Sequence, residues 1–197
     1  MKPIKLHRFV LAASGLLLLF VLAWPVVRPA YRAVFVKTAG LVNVLIPGDA
    51  QVRVRAAKEP KGYKDVEFGL GLHSTGKVYT GRGAGSFWRG YIFLAAFGAL
   101  CLATPIPWRR RLKSAVIGIV LVQALIVVRL VVPMLSGFSL SPKPGGGRLM
   151  ELGPTTQRIV EGMEVALWMN STIFVLLVLF LWAALTLRAE DLERIEA

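Results

Sequence analysis

Residues 114–135 read SAVIGIVLVQALIVVRLVVPML, and Arg129 is their one formal charge. A hydrocarbon layer about 30 Å thick is crossed by about 20 residues of helix, so this run predicts a membrane span. An ionisable group within a span costs a few kcal/mol, and it ordinarily faces the bundle interior and takes a partner. The plainer reading has Arg129 snorkelling to the nearer surface. Arg129 is thus the first candidate for a functional residue.

Outward from that run, the chain has 197 residues, 55% of them hydrophobic, with a net charge of +13. Its mean hydropathy is +0.62. These values describe a small basic integral membrane protein rather than a soluble domain. Apolar stretches at Phe9 to Val27, Tyr91 to Trp108, Ser114 to Leu135 and Val165 to Leu187 are each expected to cross the membrane. Pro105 and Pro107 make the last turn of the second irregular. The first follows Lys2, Lys5 and Arg8 as a secretion signal would, but its apolar run exceeds the usual core of about 7–15 residues and no small-x-small pattern follows Trp24-Pro25. It reads as an anchor. The expected fold is membrane α-helical, about four transmembrane helices with a small extracytoplasmic β-meander between helices one and two. Its units are residues 1–29 (tail and first helix), 30–90 (amphipathic segment and β domain), 91–187 (three-helix membrane core) and 188–197 (cytoplasmic tail).

Arg109, Arg110, Arg111 and Lys113 crowd the short loop between spans two and three, and such density marks the cytoplasmic side. Both termini are then cytoplasmic, residues 28–90 and 136–163 lie outside, and the protein belongs in the plasma (inner) membrane. The residues 28–90 are themselves rich in Lys and Arg, but much of that segment lies far from the membrane ends where such charges count. No nucleic-acid motif accompanies the basic charge, so anionic lipid, anionic polysaccharide or an acidic protein is the expected partner class. Cys101 is the single cysteine, which excludes an intrachain disulfide or thiolate cluster. His7 and His73 fall on opposite sides of the expected membrane. No metal or cofactor is expected.

Within the outer segment, Val34, Leu41, Val42 and Leu45 recur at helical spacing, so Tyr31 to Ile46 reads as an interfacial helix. The period then becomes two. Val52, Val54 and Ala56 alternate with Gln51, Arg53 and Arg55, and Val66, Phe68, Leu70 and Leu72 alternate again, which predicts two half-buried strands. Lys58 to Lys64 is the turn between them, and Gly76 to Thr80 a third short strand. So few strands are marginal alone, and their apolar face needs cover from the bundle or a partner. Arg53, Arg55, Trp88 and Arg89 are the expected partner-binding residues. Gly81-Arg82-Gly83-Ala84-Gly85-Ser86 invites a phosphate-loop reading, but no Gly-Lys-Ser/Thr ending follows. It reads instead as a flexible entry to a helix capped by Ser86. The loop with Pro142, Pro144 and Gly145-Gly146-Gly147 reads as loose.

Arg129 lies roughly 9 Å below Leu135 at about 1.5 Å per residue. Glu164 opens span four, and Ser86 to Arg89 open span two, at the same outer lip. A Glu164 carboxylate there can pair with Arg129, since a buried cation is tolerated best beside a hydrogen-bonded anion. Glu161, three residues earlier on the same helical face, can take the place of Glu164 as that partner; alternatively Glu164 is a favourable anion at a helix N-terminus.

Residues 94–130, LAAFGALCLATPIPWRRRLKSAVIGIVLVQALIVVRL, resemble exosortases and archaeosortases. Those proteins join a short helix ending in a Pro-Trp-Arg-like turn to a helix ending in an arginine motif, and Arg129 falls on that arginine. Residues 164–182, EVALWMNSTIFVLLVLFLW, are similar to their last helix, so the resemblance extends over about residues 30–187. It implies membrane cysteine transpeptidases that process C-terminal sorting signals of exported proteins with a cysteine, an arginine and a histidine at the outer face. This chain keeps the arginine. Residues 85–90 read Gly-Ser-Phe-Trp-Arg-Gly where the nucleophile is expected, Cys101 is three to four turns deeper, Glu164 stands at the histidine position, and Ile126 stands where an Asn often precedes the arginine.

Chemistry weighs those departures. A cysteine acts as its thiolate, whereas Ser86 needs a strong general base, and no histidine is available. Glu164 would be a base only with a raised pKa, while a bond to Arg129 lowers it. The favoured expectation is an exosortase-like, non-catalytic binding or assembly subunit for a membrane partner or exported protein. The alternative is a divergent membrane peptidase or transpeptidase with Ser86, Arg129 and Glu164 as its catalytic residues.

Overall fold

Residues 6–46, 49–61, 64–74, 76–140, 153–164 and 171–187 are described by the structure, a computed structural model. The first apolar run does not stop at Val27. It continues as one helix, α1, over Leu6–Gly40, through Pro25 and Pro29. Its 35 residues extend for about 52 Å, some 20 Å more than a hydrocarbon layer. The separate interfacial helix expected over Tyr31 to Ile46 is therefore the end of α1 plus the short α2, Val42–Leu45. Packing explains the continuity: Tyr31, Phe35, Ala39 and Val42 are buried along one helical stripe, and that tertiary contact outweighs the two missing N–H groups.

The stripe lies against the sheet. Strands β1 (Ala50–Lys61), β2 (Lys64–Leu72) and β3 (Val78–Ala84) form an antiparallel meander in the order β1-β2-β3. Val52 is paired with Leu70, Val54 with Phe68 and Ala56 with Val66, which sets the apolar side chains on one face. Val52, Val66, Phe68, Leu70 and Leu72 are buried there. The cover comes from the chain's own helices: the Phe35 ring stands edge-on to Phe68 at 6.4 Å, and a Cβ on Gly137 would lie 2.7 Å from Leu70 Cδ1. Asn43 closes the free edge of β1, donating to the Val52 carbonyl at 2.8 Å and accepting from the Val52 N–H at 2.7 Å as a neighbouring strand would.

The third strand is longer than Gly76 to Thr80, and it takes in the glycine-rich residues 81–84 that were expected to be a flexible entry. Gly81 and Gly83 pair with Gly69 and Glu67 of β2. The glycines of β2 allow the close approach, because a Cβ on Gly69 would lie 2.6 Å from Val78 Cγ1 and one on Gly71 would collide with the Lys77 carbonyl.

A π-helical turn, Phe87–Tyr91, then leads into α3, Ile92–Ala103. Helix α4, Trp108–Leu140, carries the expected Ser114 to Leu135 span and extends beyond both its ends. The remaining helices are α5, Pro154–Met163, and α6, Ser171–Thr186. Two helical stretches, His7–Val44 and Trp108–Leu140, are long and apolar enough to cross a membrane, while Phe87–Ala103 and Thr172–Thr186 are shorter apolar helices. Residues 165–170 of the fourth expected span, the loop around Pro142 and Gly145, the turn residues Gly62 and Tyr63, and the tail from 188 lie outside the described residues.

Helix α3 is seated by glycines. Gly90 faces Tyr31 and Phe35 of α1, Gly98 faces Phe20, and Gly118 of α4 receives the Phe97 ring so closely that a Cβ would collide with it. At the opposite end from the sheet, Arg110 Nη2 donates to the Thr186 carbonyl at 2.6 Å and Ser114 Oγ to the Leu185 carbonyl at 2.8 Å. Those bonds tie the last carbonyls of α6 to the first turns of α4. Trp182 Nε1 donates to Thr104 Oγ1 at 3.0 Å, and its ring stacks on Phe9 at 5.6 Å.

Candidate functional site

Arg129 projects from α4 into the joint with α3 and α6 and is 2% exposed. Its guanidinium carbon lies 5.1 Å from the Phe93 ring centroid and 4.8 Å from that of Phe174. The two rings meet edge-on at 4.5 Å, so one cation joins an aromatic pair contributed by the other two helices. The negative faces of aromatic rings attract a cation, and a desolvated contact of this kind contributes about 2 kcal/mol. Arg89, in the π-helical turn, is near enough for its like charge to act on Arg129.

The expected Arg129–Glu164 ion pair does not form. Arg28 pairs with Asp65 and Arg55 with Glu67, and neither pair includes Arg129 or Glu164. Glu164 follows directly on α5, with its N–H bonded back to the Val160 and Glu161 carbonyls, residues 165–170 lie outside the described residues, and the described part of the last apolar helix is Ser171–Thr186. That placement removes the helix N-terminus reading as well. Glu161 accepts a bond from Gln157 Nε2 at 2.8 Å on the exposed side of α5, so it does not substitute.

Ser86 is fully buried. Its hydroxyl is not a helix cap. The Ser86 N–H donates to Asp65 Oδ1 and the Ser86 Oγ–H to Asp65 Oδ2, both at 2.7 Å. Arg28 Nε approaches the same Oδ2 at 3.4 Å from the middle of α1. Asp65, 1% exposed, thereby joins α1, β2 and the start of α3 through one carboxylate. Sequence reading missed it because the period-two alternation of Val66, Phe68 and Leu70 assigns Asp65 to the open face with Glu67. One signal was present: Asp65 is an acid at the head of an apolar strand, in a chain where cations outnumber acids.

Arg53 and Arg55 are exposed on the sheet, and Arg55 Nε donates to Glu67 Oε2, its directly opposite partner on β2, at 2.8 Å. Trp88 is 58% exposed and Arg89 half-buried at the entry to α3. Cys101 is fully buried in α3. Among the described residues no cluster of His, Cys, Asp and Glu has the makings of a metal site.

The arrangement thus separates what the sequence grouped. Arg129 belongs to an aromatic joint, Ser86 to a buried carboxylate, and Glu164 to the end of α5, with no hydrogen bond or ion pair among the three. A serine hydroxyl beside a carboxylate is a nucleophile–base geometry in principle, but both carboxylate oxygens are already engaged and neither residue reaches the surface. Neither a protein-family model, nor a curated protein, nor a solved structure matches this chain significantly.

Proposed function

We propose that the protein is a multi-pass component of the plasma (inner) membrane, exosortase-like in its membrane core, that acts without catalysis as a binding or assembly subunit for a membrane partner or an exported protein. The observation that carries the non-catalytic part is the burial of Ser86 with its hydroxyl bonded to Asp65. The one cysteine is buried too, and the chain's two histidines do not join either group in a hydrogen bond among the described residues. Arg129, the residue shared with the resembled family, serves as a three-helix joint, which is a structural use of a cation.

In this reading α1, the Phe87–Ala103 stretch, α4 and α6 are four crossings; what supports it is that His7–Val44 and Trp108–Leu140 are long and apolar enough to span and that Phe87–Ala103 and Thr172–Thr186 are shorter apolar helices. The Tyr91 hydroxyl of the Phe87–Ala103 stretch donates to the Phe20 carbonyl of α1, while at the basic end α6 is bonded to α4 through Arg110 and Ser114 and to Thr104, which follows α3, through Trp182. The sheet stands at the far end of α1 and α4 from that cluster, which favours a cytoplasmic basic end, cytoplasmic termini and an extracytoplasmic sheet. Single cysteines at Lys58 and Lys77, in a Cys101→Ser background, test this by labelling with an impermeant thiol reagent in intact cells. Labelling at Leu112 in place of those two reverses the orientation.

Recovery of the intact chain with a bound partner, unchanged by Ser86→Ala, is the outcome expected of a binding subunit. A covalent adduct with an exported protein that disappears in Ser86→Ala restores the peptidase reading.

A further inference from the structure

The run Arg109-Arg110-Arg111-Leu112-Lys113 is divided by the fold. Arg110 and Arg111 turn inward, onto the Thr186 and Ile106 carbonyls. Arg109 and Lys113 stay exposed, and neither takes part in the Arg28–Asp65 or the Arg55–Glu67 ion pair. Below them on α4, Leu112, Val116 and Val120 are exposed apolar side chains. Positions 109, 112, 113, 116 and 120 recur at the three- and four-residue spacing of a single helical face. Trp108, 62% exposed, flanks the cations, with the Arg111 guanidinium 5.8 Å from its ring.

This face has two chemistries in a fixed order, cations at one end and an apolar stripe running away from them. From Arg109 to Val120 the helix rises about 16 Å, close to the half-thickness of a hydrocarbon layer of about 30 Å. An exposed tryptophan at the boundary is the amphipathic anchor found at headgroup level. We infer that this face of α4 binds an anionic phospholipid of the phosphatidylglycerol class, with its phosphate between Arg109 and Lys113 and an acyl chain along Leu112, Val116 and Val120. A free phosphate would use the cations and leave the stripe without a role. The inference rests on the membrane reading above.

Lipid retention by the detergent-purified full chain, measured by native mass spectrometry after mixing with phosphatidylglycerol or phosphatidylcholine, tests it. The wild-type chain retains the anionic lipid roughly thirty-fold better, the equivalent of about 2 kcal/mol from two basic side chains near a headgroup layer. R109Q/K113Q loses that preference, and K58Q/K64Q, at two exposed lysines of the sheet, keeps it. Excess inorganic phosphate leaves the lipid bound; displacement by phosphate overturns the lipid assignment. So does a preference that arises only after removal of residues 188–197, because the acids Glu190, Asp191, Glu193 and Glu196 would then be what covers the cations. A chain that resists carbonate extraction from membranes but retains both lipids equally refutes the site and leaves the membrane reading standing. A chain released by carbonate refutes both.

Discussion

Asp65 Oδ2 accepts the Ser86 hydroxyl at 2.7 Å, and both residues are buried, so the head of strand β2 is bonded to the turn that launches α3. The same carboxylate takes the Ser86 N–H and faces Arg28. One acid therefore holds the sheet, α1 and α3 in a single register.

Removal of that acid is expected to cost more than removal of the hydroxyl. Asp65→Ala leaves the Ser86 N–H and the Arg28 guanidinium without their anion, at about 2–4 kcal/mol, while Ser86→Ala costs about 1 kcal/mol. Thermal unfolding of the detergent-solubilised variants, followed by tryptophan fluorescence, measures both. Equal and small losses would mean that the carboxylate is not a structural joint.

Arg129 is expected to couple to aromatic rings and not to Glu164. In a double-mutant cycle, Arg129→Leu with Phe174→Leu should show a coupling of about 1–2 kcal/mol. Glu164→Gln should change stability by less than about 0.5 kcal/mol, as an ordinary surface substitution does. A strong coupling between Arg129 and Glu164 would restore the ion pair that the fold does not form.

Gly118 and Gly15 lie in two apolar helices and predict opposite outcomes. Gly118→Ala drives a Cβ into the Phe97 ring and should destabilise the α3–α4 contact by about 1–3 kcal/mol. Gly15 has open space around its Cα, so Gly15→Ala should be neutral or stabilising by up to about 1 kcal/mol. Comparison of their melting temperatures in one detergent checks the contrast.

Charge reversal on the sheet is expected to act through Arg53 more than Arg55, because Arg55 is already bonded to Glu67. Arg53→Glu should weaken partner association in a graded, salt-sensitive way. Co-purification across a salt series measures it, and an effect independent of salt would point to misfolding of the strand.

By itself the sequence determined the elements whose signal is local. The apolar run at 114–135 lies within α4, the alternations at 52–56 and 66–72 lie in β1 and β2, and the lone charge at 129 marked a buried, multi-helix contact. Hydropathy and period are properties of neighbouring residues, so they survive without knowledge of the fold. Three things depended on tertiary structure. Helix α1 runs through Pro25 and Pro29 because Tyr31, Phe35 and Ala39 have a sheet and helices to pack against. Asp65 is buried, against its strand phase, because Arg28 and Ser86 arrive from distant parts of the chain. Arg129 meets Phe93 and Phe174 in place of Glu164 because α3 and α6 supply the facing side chains, while Glu164 lies at the end of α5. Which side chain meets which across helices is set by their relative rotation and rise, and a single polar residue can be rerouted by a shift of one helical turn.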